Sequence, residues 1–337
     1  MKKIAPALAL ACACTPAFAL DKLPDEPGFS GFVNVGVGTG SIETNMLARL
    51  AGIDLDLGDD TIDDFGSPDD ESITTLALNL SLRYTFSNMK TQVSLGNDLA
   101  DFLQFDRSTI LALRHDFDTL GRTQVSLLSS AFPQTEVWED PYVIGESRDE
   151  TERSALGARF TWDKIFGTQF ELKVQQRKIE LDEERSGQSL GLSRAQQRLL
   201  SREGDNFRSE LGYLFNIDNG THLIRPSVAY IDRDLDGDAM AQDGYEGGIS
   251  YVYLNGDITW ANTLSYSSLE AGSENPIFEE NHDSEQIVFA TQLFVKGLFG
   301  LEEWEPNIAV MYGDSDSDID FYDSKGWMVN VAIGRTF

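Results

Sequence analysis

Three groups of residues in this chain could do chemistry, and each has an ordinary alternative. Asp232-Arg233-Asp234-Leu235-Asp236-Gly237-Asp238, with Asp243 at the twelfth place, has the D-x-D-x-D-G spacing of a calcium loop. Carboxylates two apart with a glycine at the turn can wrap one hard cation in oxygen. Asp243 stands where Glu is usual and no flanking helices are expected, so a plain acidic loop is the competing reading. Asp314-Ser315-Asp316-Ser317-Asp318-Ile319-Asp320 repeats the alternation without a glycine. The histidines are His115, His222 and His282. His282-Asp283, in a long polar segment, offers a base with an adjacent carboxylate, the minimum for activating water. No Ser or Asn partner follows from spacing, and the chain is read as a non-enzyme without a cofactor, structural calcium being the one candidate.

The third group is basic. Arg83, Arg114, Arg159, Lys173, Arg177, Arg208 and Arg225 fall at alternate positions of apolar-patterned segments, with Glu171 and Glu210 among the few acids sharing that phase. If those segments are strands of a barrel, these side chains point into its lumen. A ring of arginines there favours anions, as charged rings do in other pores. The alternative is a closed lumen in which Arg and Glu of neighbouring strands satisfy one another.

The elements that must position these residues are strands. Leu76, Leu78, Leu80, Leu82, Tyr84 and Phe86 alternate with Ala77, Asn79, Ser81, Arg83 and Thr85. That is period two over a length that crosses a bilayer as a tilted strand. The pattern recurs and predicts about fourteen strands, with twelve as the fallback. They lie near 29–38, 73–86, 91–97, 108–117, 122–132, 154–163, 168–180, 206–216, 221–232, 244–254, 257–268, 285–295, 302–312 and 325–337.

Connections alternate between tight turns (87–90, 118–121, 217–220, 255–256) and long polar segments (39–72, 133–153, 181–205, 233–243, 269–284, 313–324). That sidedness belongs to an antiparallel up-and-down outer-membrane β-barrel, with both ends of the barrel on the short-turn, periplasmic side. Two aromatic girdles are expected. Phe86, Phe117, Trp162, Phe170, Phe215, Tyr253, Trp260, Trp304 and Phe337 would lie near the short turns. Phe132, Phe207, Tyr230, Tyr245, Tyr266, Tyr312 and Trp327 would lie near the long loops. Ser193 is placed to cap a loop helix over 194–203, read as solvent-exposed.

The ends agree. Residues 1–19 read as a secretory signal peptide: basic Lys2-Lys3, an apolar run over 4–14, then Ala17-Phe18-Ala19 as a small-residue cleavage site. A lipid-modified Cys12 is the other reading of this segment. Cleavage would remove Cys12 and Cys14, the two cysteines of the chain, and leave no thiol chemistry. Residues 20–28 form a short periplasmic segment and 29–337 the barrel. The final strand places Trp327, Val329, Val331 and Ile333 on one face and ends on Phe337. It resembles the terminal strand of Gram-negative outer-membrane barrels, which implies that Phe337 is read by barrel-insertion machinery. A formal net charge of −30 argues against nucleic acid as a partner. The acidic run over 54–71 is read as a solvated loop facing lipopolysaccharide, where it would attract divalent cations.

Gly28-Phe29-Ser30-Gly31, the run Asp234-Leu235-Asp236-Gly237-Asp238-Ala239-Met240 and the terminal strand together resemble a family of proteobacterial outer-membrane proteins labelled domain of unknown function 2860. The resemblance covers the chain from the signal peptide onward. It implies the barrel and its location but no activity. The expected function is a narrow porin-like channel for small hydrophilic, anion-favoured solutes. A closed surface barrel with calcium-binding loops is the alternative. A hydrophobic-solute transporter is a third reading, although residues 20–27 are too short and charged for an apolar plug.

Overall fold

The computed structural model describes residues 23–49, 60–98, 108–130 and 134–337. The signal-peptide segment, Asp54, Asp56, Asp59 and Phe132 lie outside the described residues. Fourteen staves follow one another: β1 (Gly28–Thr44), β2 (Asp70–Thr85), β3 (Thr91–Asp98), β4 (Ser108–Asp116), β5 (Arg122–Ser130), β6 (Glu150–Asp163) and β7 (Phe170–Leu181). Then come β8 (Gly204–Tyr213, continued by Phe215–Ile217), β9 (His222–Leu235), β10 (Gln242–Asn255), β11 (Ile258–Ala271), β12 (Ser284–Val295), β13 (Glu305–Ser317) and β14 (Ser324–Thr336).

Each stave pairs antiparallel with its neighbours in the chain, and β1 also pairs with β14, so the sheet closes on itself. The closing seam is long: Phe32 sits opposite Thr336, and the ladder runs to Thr44 opposite Ser324. Phe337 adds one more rung, exchanging two backbone hydrogen bonds with Gly31 at 2.8 and 3.0 Å. Closure leaves no sheet edge along this seam, which a bilayer demands because it offers backbone groups no partner.

The burial pattern is inverted relative to a soluble sandwich. On β2 the outward Leu76, Leu78, Leu80 and Leu82 are exposed, Leu76 by 70%, while the inward Ile73, Thr75, Asn79 and Thr85 are buried. The alternation that could have buried leucines in a core instead wraps them around the outside as the lipid-facing band. Aromatic rings collect at both ends of that band. Phe170, Tyr213 and Phe215 form one chain of ring contacts near the short turns, and Tyr230 and Tyr245 another near the long loops.

Strand positions agree with the sequence pattern, most ends to within about three residues, while β1 runs on to Thr44 and β13 to Ser317, five or six residues past their expected ends. Two short strands absent from the pattern, Leu47–Arg49 and Thr135–Trp138, pair with each other, and the second pairs with β6. A further two-residue ladder joins Glu274–Asn275 to Glu280–Asn281. The loop helix α1 spans Arg194–Leu199, shorter than expected, with Ser193 and Gln196 forming a capping box. The long loops therefore carry structure of their own, the helix capped by Ser193 being expected and the short strands not.

Candidate functional site

The lumen is built from the inward positions of the staves. All seven basic residues singled out by periodicity (Arg83, Arg114, Arg159, Lys173, Arg177, Arg208 and Arg225) have the inward phase. Most lie on one arc, β4 to β9. There the acids meet them. Arg225 is 1% exposed and its Nη2 donates to Glu171 Oε1 and Glu210 Oε1, both at 2.6 Å. Arg208 grips Glu246 with both terminal nitrogens at 2.9 and 3.1 Å and donates to Glu210 Oε2 at 2.7 Å. Lys173 Nζ stands 3.7 Å from Glu210 Oε1. Three cations and three carboxylates form one charge-balanced lattice across β7, β8, β9 and β10.

Gly212 makes this lattice possible. A Cβ there would overlap the Arg225 guanidinium, so the inward glycine is the seat over which Arg225 lies. A second pair, Arg122 with Asp163, is buried near the short-turn end. Lys173, Arg208 and Arg225, expected to bias the lumen toward anions, are thus neutralised by glutamates, because at this depth an unpaired charge is costly. Arg114 and Arg177 are buried on the same arc, and Arg159 Nε donates to Gln175 Oε1 at 2.7 Å. Inward phase alone would have added Arg122, Asp163 and Glu246 to the sequence candidates.

The facing arc carries amides and hydroxyls. Gln292 Nε2 donates to Asn307 Oδ1 at 3.1 Å, and Asn307 Nδ2 donates to Asn34 Oδ1 at 2.9 Å, a ladder from β12 across β13 to β1. Thr259 and Ser267 of β11 are also buried with inward phase. The inner face is mixed and asymmetric: guanidinium groups gather on one side, amides and hydroxyls on the other, and Leu223, Val252, Phe294 and Met328 are buried in the same inward phase.

The outer end of the lumen is covered. Tyr142, Leu200, Met240, Ile319, Phe321 and Tyr322 form one buried apolar cluster, packed by Met46, Phe65, Leu192, Ile277 and Phe278. These residues come from six of the long connections, distributed around the rim, so their meeting point lies over the mouth. The aromatic rings interlock: Phe65 with Phe321 at 5.7 Å and 90°, Phe278 with Phe321 at 5.8 Å.

Polar groups lace the cap together. Tyr142 and Tyr322 share a hydroxyl contact of 2.6 Å, and Asn275 Nδ2 donates to Tyr322 Oη at 2.7 Å. Burial raises the Tyr142 hydroxyl well above its ordinary range and pushes that of Tyr322 up to about 12. Asp140 accepts three backbone N–H groups, from Tyr142, Gly187 and Ser189. Arg202 pairs with Glu184 and donates to the carbonyls of Trp138 and Glu139. Burial alone would raise the Glu184 carboxyl, but Arg202 beside it holds it below the usual range. Sequence reasoning missed this cap, since its apolar residues lie in groups of one to three through polar loops, too short to show a period.

The acidic positions fall differently from a calcium loop. Asp232 lies in β9 opposite Asp243 of β10, and Asp234 lies opposite Asp205 of β8. Strand geometry thus spreads Asp232 and Asp234 along the outer wall, while Asp236 and Asp238 sit in the turn beyond. Among the described residues no group of three or more His, Cys, Asp or Glu side chains is arranged to hold a metal. Gly237 has a packing role: a Cβ there would collide with the backbone of Leu199 and Ser201.

The His282-Asp283 pair is divided. The His282 ring stacks on Tyr322 at 4.1 Å, and Asp283 Oδ1 accepts the Ala271 N–H at 2.7 Å. His115 bonds Thr91 Oγ1 and His222 bonds Tyr251 Oη, both at the short-turn rim.

Solved structures similar to this one are outer-membrane barrels of low identity. A Pseudomonas aeruginosa FadL homologue aligns with TM-score 0.48 and 11% identity, covering 96% of each chain. The outer membrane channel DcaP of Acinetobacter baumannii gives 0.42 and 10%, covering 90% of this chain and 97% of that one. An anion-selective porin from Comamonas acidovorans gives 0.40 and 10%, covering 93% and 100%. No curated protein matches the sequence. The family model described as "Protein of unknown function (DUF2860)" matches residues 28–335.

Proposed function

The chain belongs to the DUF2860 family, and we propose that it acts as a narrow outer-membrane channel for small hydrophilic solutes, anions favoured. The observation that carries this reading is the set of polar groups on the inner face, with Arg114, Arg159 and Arg177 on one arc and the Gln292–Asn307–Asn34 amides on the other. A barrel of roughly eight strands fills with its own side chains, while sixteen leave a channel, so fourteen strands suit a restricted passage. Guanidinium groups beside that passage lower the barrier for an anion and raise it for a cation. The outer cap then sets how often the passage is open.

Export would proceed through cleavage after Ala19, and assembly through recognition of Phe337. Lipopolysaccharide would surround the outer half of the wall.

A second reading has an observation of its own. The aromatic cap favours a closed barrel whose outer surface, with its acidic loops, is the working part. Single-channel recording of the refolded protein in a planar bilayer, under a salt gradient, separates the two. Small anion-preferring steps that lose their preference when Arg114, Arg159 and Arg177 become Gln support the channel. Silence both from the wild type and from a variant with a weakened cap overturns it in favour of the closed barrel.

A further inference from the structure

Two turns on the periplasmic side share one backbone and one sequence pattern. Between β6 and β7, Lys164-Ile165-Phe166-Gly167 holds Lys164, Phe166 and Gly167 at φ of 50°, 51° and 78°. Between β12 and β13, Gly297-Leu298-Phe299-Gly300 holds Gly297, Phe299 and Gly300 at 70°, 58° and 74°. Their hydrogen bonds coincide. Gly167 N–H donates to the Lys164 carbonyl and Thr168 N–H to that of Ile165, at 2.8 and 3.0 Å. Gly300 N–H donates to Gly297 and Leu301 N–H to Leu298, at 3.1 and 3.2 Å.

A phenylalanine is a poor choice for this backbone. In the left-handed region its Cβ crowds the following carbonyl, and Asn or Gly adopt it far more readily. The turn between β8 and β9 closes with the same bond, Thr221 N–H to Asp218 at 3.3 Å, and has Asn219 at φ 56° where the other two have Phe. The local fold therefore does not ask for an aromatic ring at this place.

The rings do not stabilise a protein core either. Phe166 is 68% exposed and Phe299 is 85% exposed. Phe166 touches Trp162 at 5.3 Å, and the Trp162 indole N–H donates to the Leu120 carbonyl at 2.9 Å. Phe166 thus continues the aromatic girdle past the strand ends. Leu298 and Leu301 extend the apolar surface around Phe299, and exposed Lys164 and Lys296 stand within three residues of the two rings. Aromatic rings with an adjacent ammonium group suit the boundary between lipid phosphates and acyl chains. The two hairpins are six staves apart in a ring of fourteen, nearly opposite one another.

We propose that Phe166 and Phe299 are lipid anchors, entering the headgroup boundary of the inner-leaflet phospholipid on opposite sides of the rim and fixing the height of the barrel. The strained geometry is retained where it presents an exposed ring beside the apolar band, whereas Asn219 presents a polar side chain at the comparable place. This inference is independent of whether the lumen conducts.

The test uses the full chain with Cys12 and Cys14 replaced by Ser and single thiols introduced as Phe166→Cys, Phe299→Cys or Asn219→Cys. Each variant carries a thiol-linked fluorophore and is refolded into phosphatidylcholine–phosphatidylglycerol vesicles, folding being checked by heat-modifiable mobility. Quenching by a spin label on the upper acyl chain should be at least about twofold stronger at 166 and 299 than at 219, with aqueous iodide showing the reverse order. Equal quenching at all three sites overturns the proposal. Protection of 166 or 299 from both quenchers also overturns it, because a protein surface would then be the occupant. An unlabelled variant guards against dye effects: Phe166→Asn with Phe299→Asn relieves the turns, yet should lower the fraction folded into vesicles by about threefold. A folded fraction equal to or above wild type overturns the proposal.

Discussion

The hydroxyls of Tyr142 and Tyr322 lie 2.6 Å apart although 180 residues separate them along the chain. This bond joins the connection after β5 to the connection after β13, and Asn275 from a third connection donates to the same Tyr322 oxygen. A contact so distant in sequence, between loops on different parts of the rim, shows that the cap is a folded unit.

Tyr322→Phe should loosen the cap and spare the barrel. It leaves the Asn275 amide and the Tyr142 hydroxyl buried with one partner fewer, a cost of about 1–3 kcal/mol. Hydrogen exchange should quicken over residues 136–148 and 274–283, with the amides of β9 to β11 unchanged.

Alkali should open the cap before it unfolds the wall. Burial raises both tyrosines, Tyr322 to about 12, above the ordinary value near 10. The neutral hydroxyls are the form the fold favours. Their contribution is complete below about pH 10 and is lost as pH rises through the folded-state values. Protease cleavage within 182–203, followed against pH, checks the window, and Tyr142→Phe with Tyr322→Phe should flatten it.

Acid should act through His282. Its ring stacks on Tyr322, and burial, with Arg233 nearby, lowers it from about 6.5 to about 3. The neutral ring is favoured in the fold, so its contribution is complete above about pH 6.5 and falls as pH drops toward the folded-state value. His282→Gln should remove that part of the acid sensitivity of cap exchange.

Arg225→Met should destabilise the barrel strongly. Removing the cation takes from buried Glu171 and Glu210 their ion pairs at 2.6 Å and leaves Glu171 with Lys173 at 4.0 Å, an expected loss of about 3–5 kcal/mol. Urea unfolding reads this directly. Gly212→Ala should act on the same lattice by displacing Arg225.

Phe321→Ser should raise conductance if the cap restricts the lumen. The ring touches Phe65, Tyr142, Phe278 and Tyr322, and deleting such a core aromatic costs about 3–5 kcal/mol, enough to open a local unit. Larger or longer openings with unchanged heat-modifiable mobility are the expected result.

The period-two alternation determined most of the wall by itself. Leu76, Leu78, Leu80 and Leu82 can lie on one face only if 70–85 is extended, and the same phase turns Arg83 inward. Each strand carries that information locally, which is why inward Arg114, Arg177 and Arg225 were legible without knowing their neighbours. What faces them was not. Glu246 meets Arg208 and Glu171 meets Arg225 because of the register between separate staves, and one rung of slip would give different partners.

The loops mark the boundary most clearly. Their acidic composition gave a correct charge and a misleading picture, because the apolar residues of the cap come in groups of one to three, such as Phe65, Tyr142-Val143-Ile144, Leu199-Leu200, Ile277-Phe278 and Phe321-Tyr322, too short to show a period. The Asp232–Asp243 spacing likewise matched a calcium loop on paper, but pairing between β9 and β10 spread Asp232 and Asp234 along a wall. The sequence determined an outer-membrane barrel with a polar interior, since alternation is a property of one strand at a time. Only the tertiary structure decided that Lys173, Arg208 and Arg225 are paired with glutamates and that the mouth is covered. Both depend on which residues closure of the barrel brings together, and no single segment encodes that.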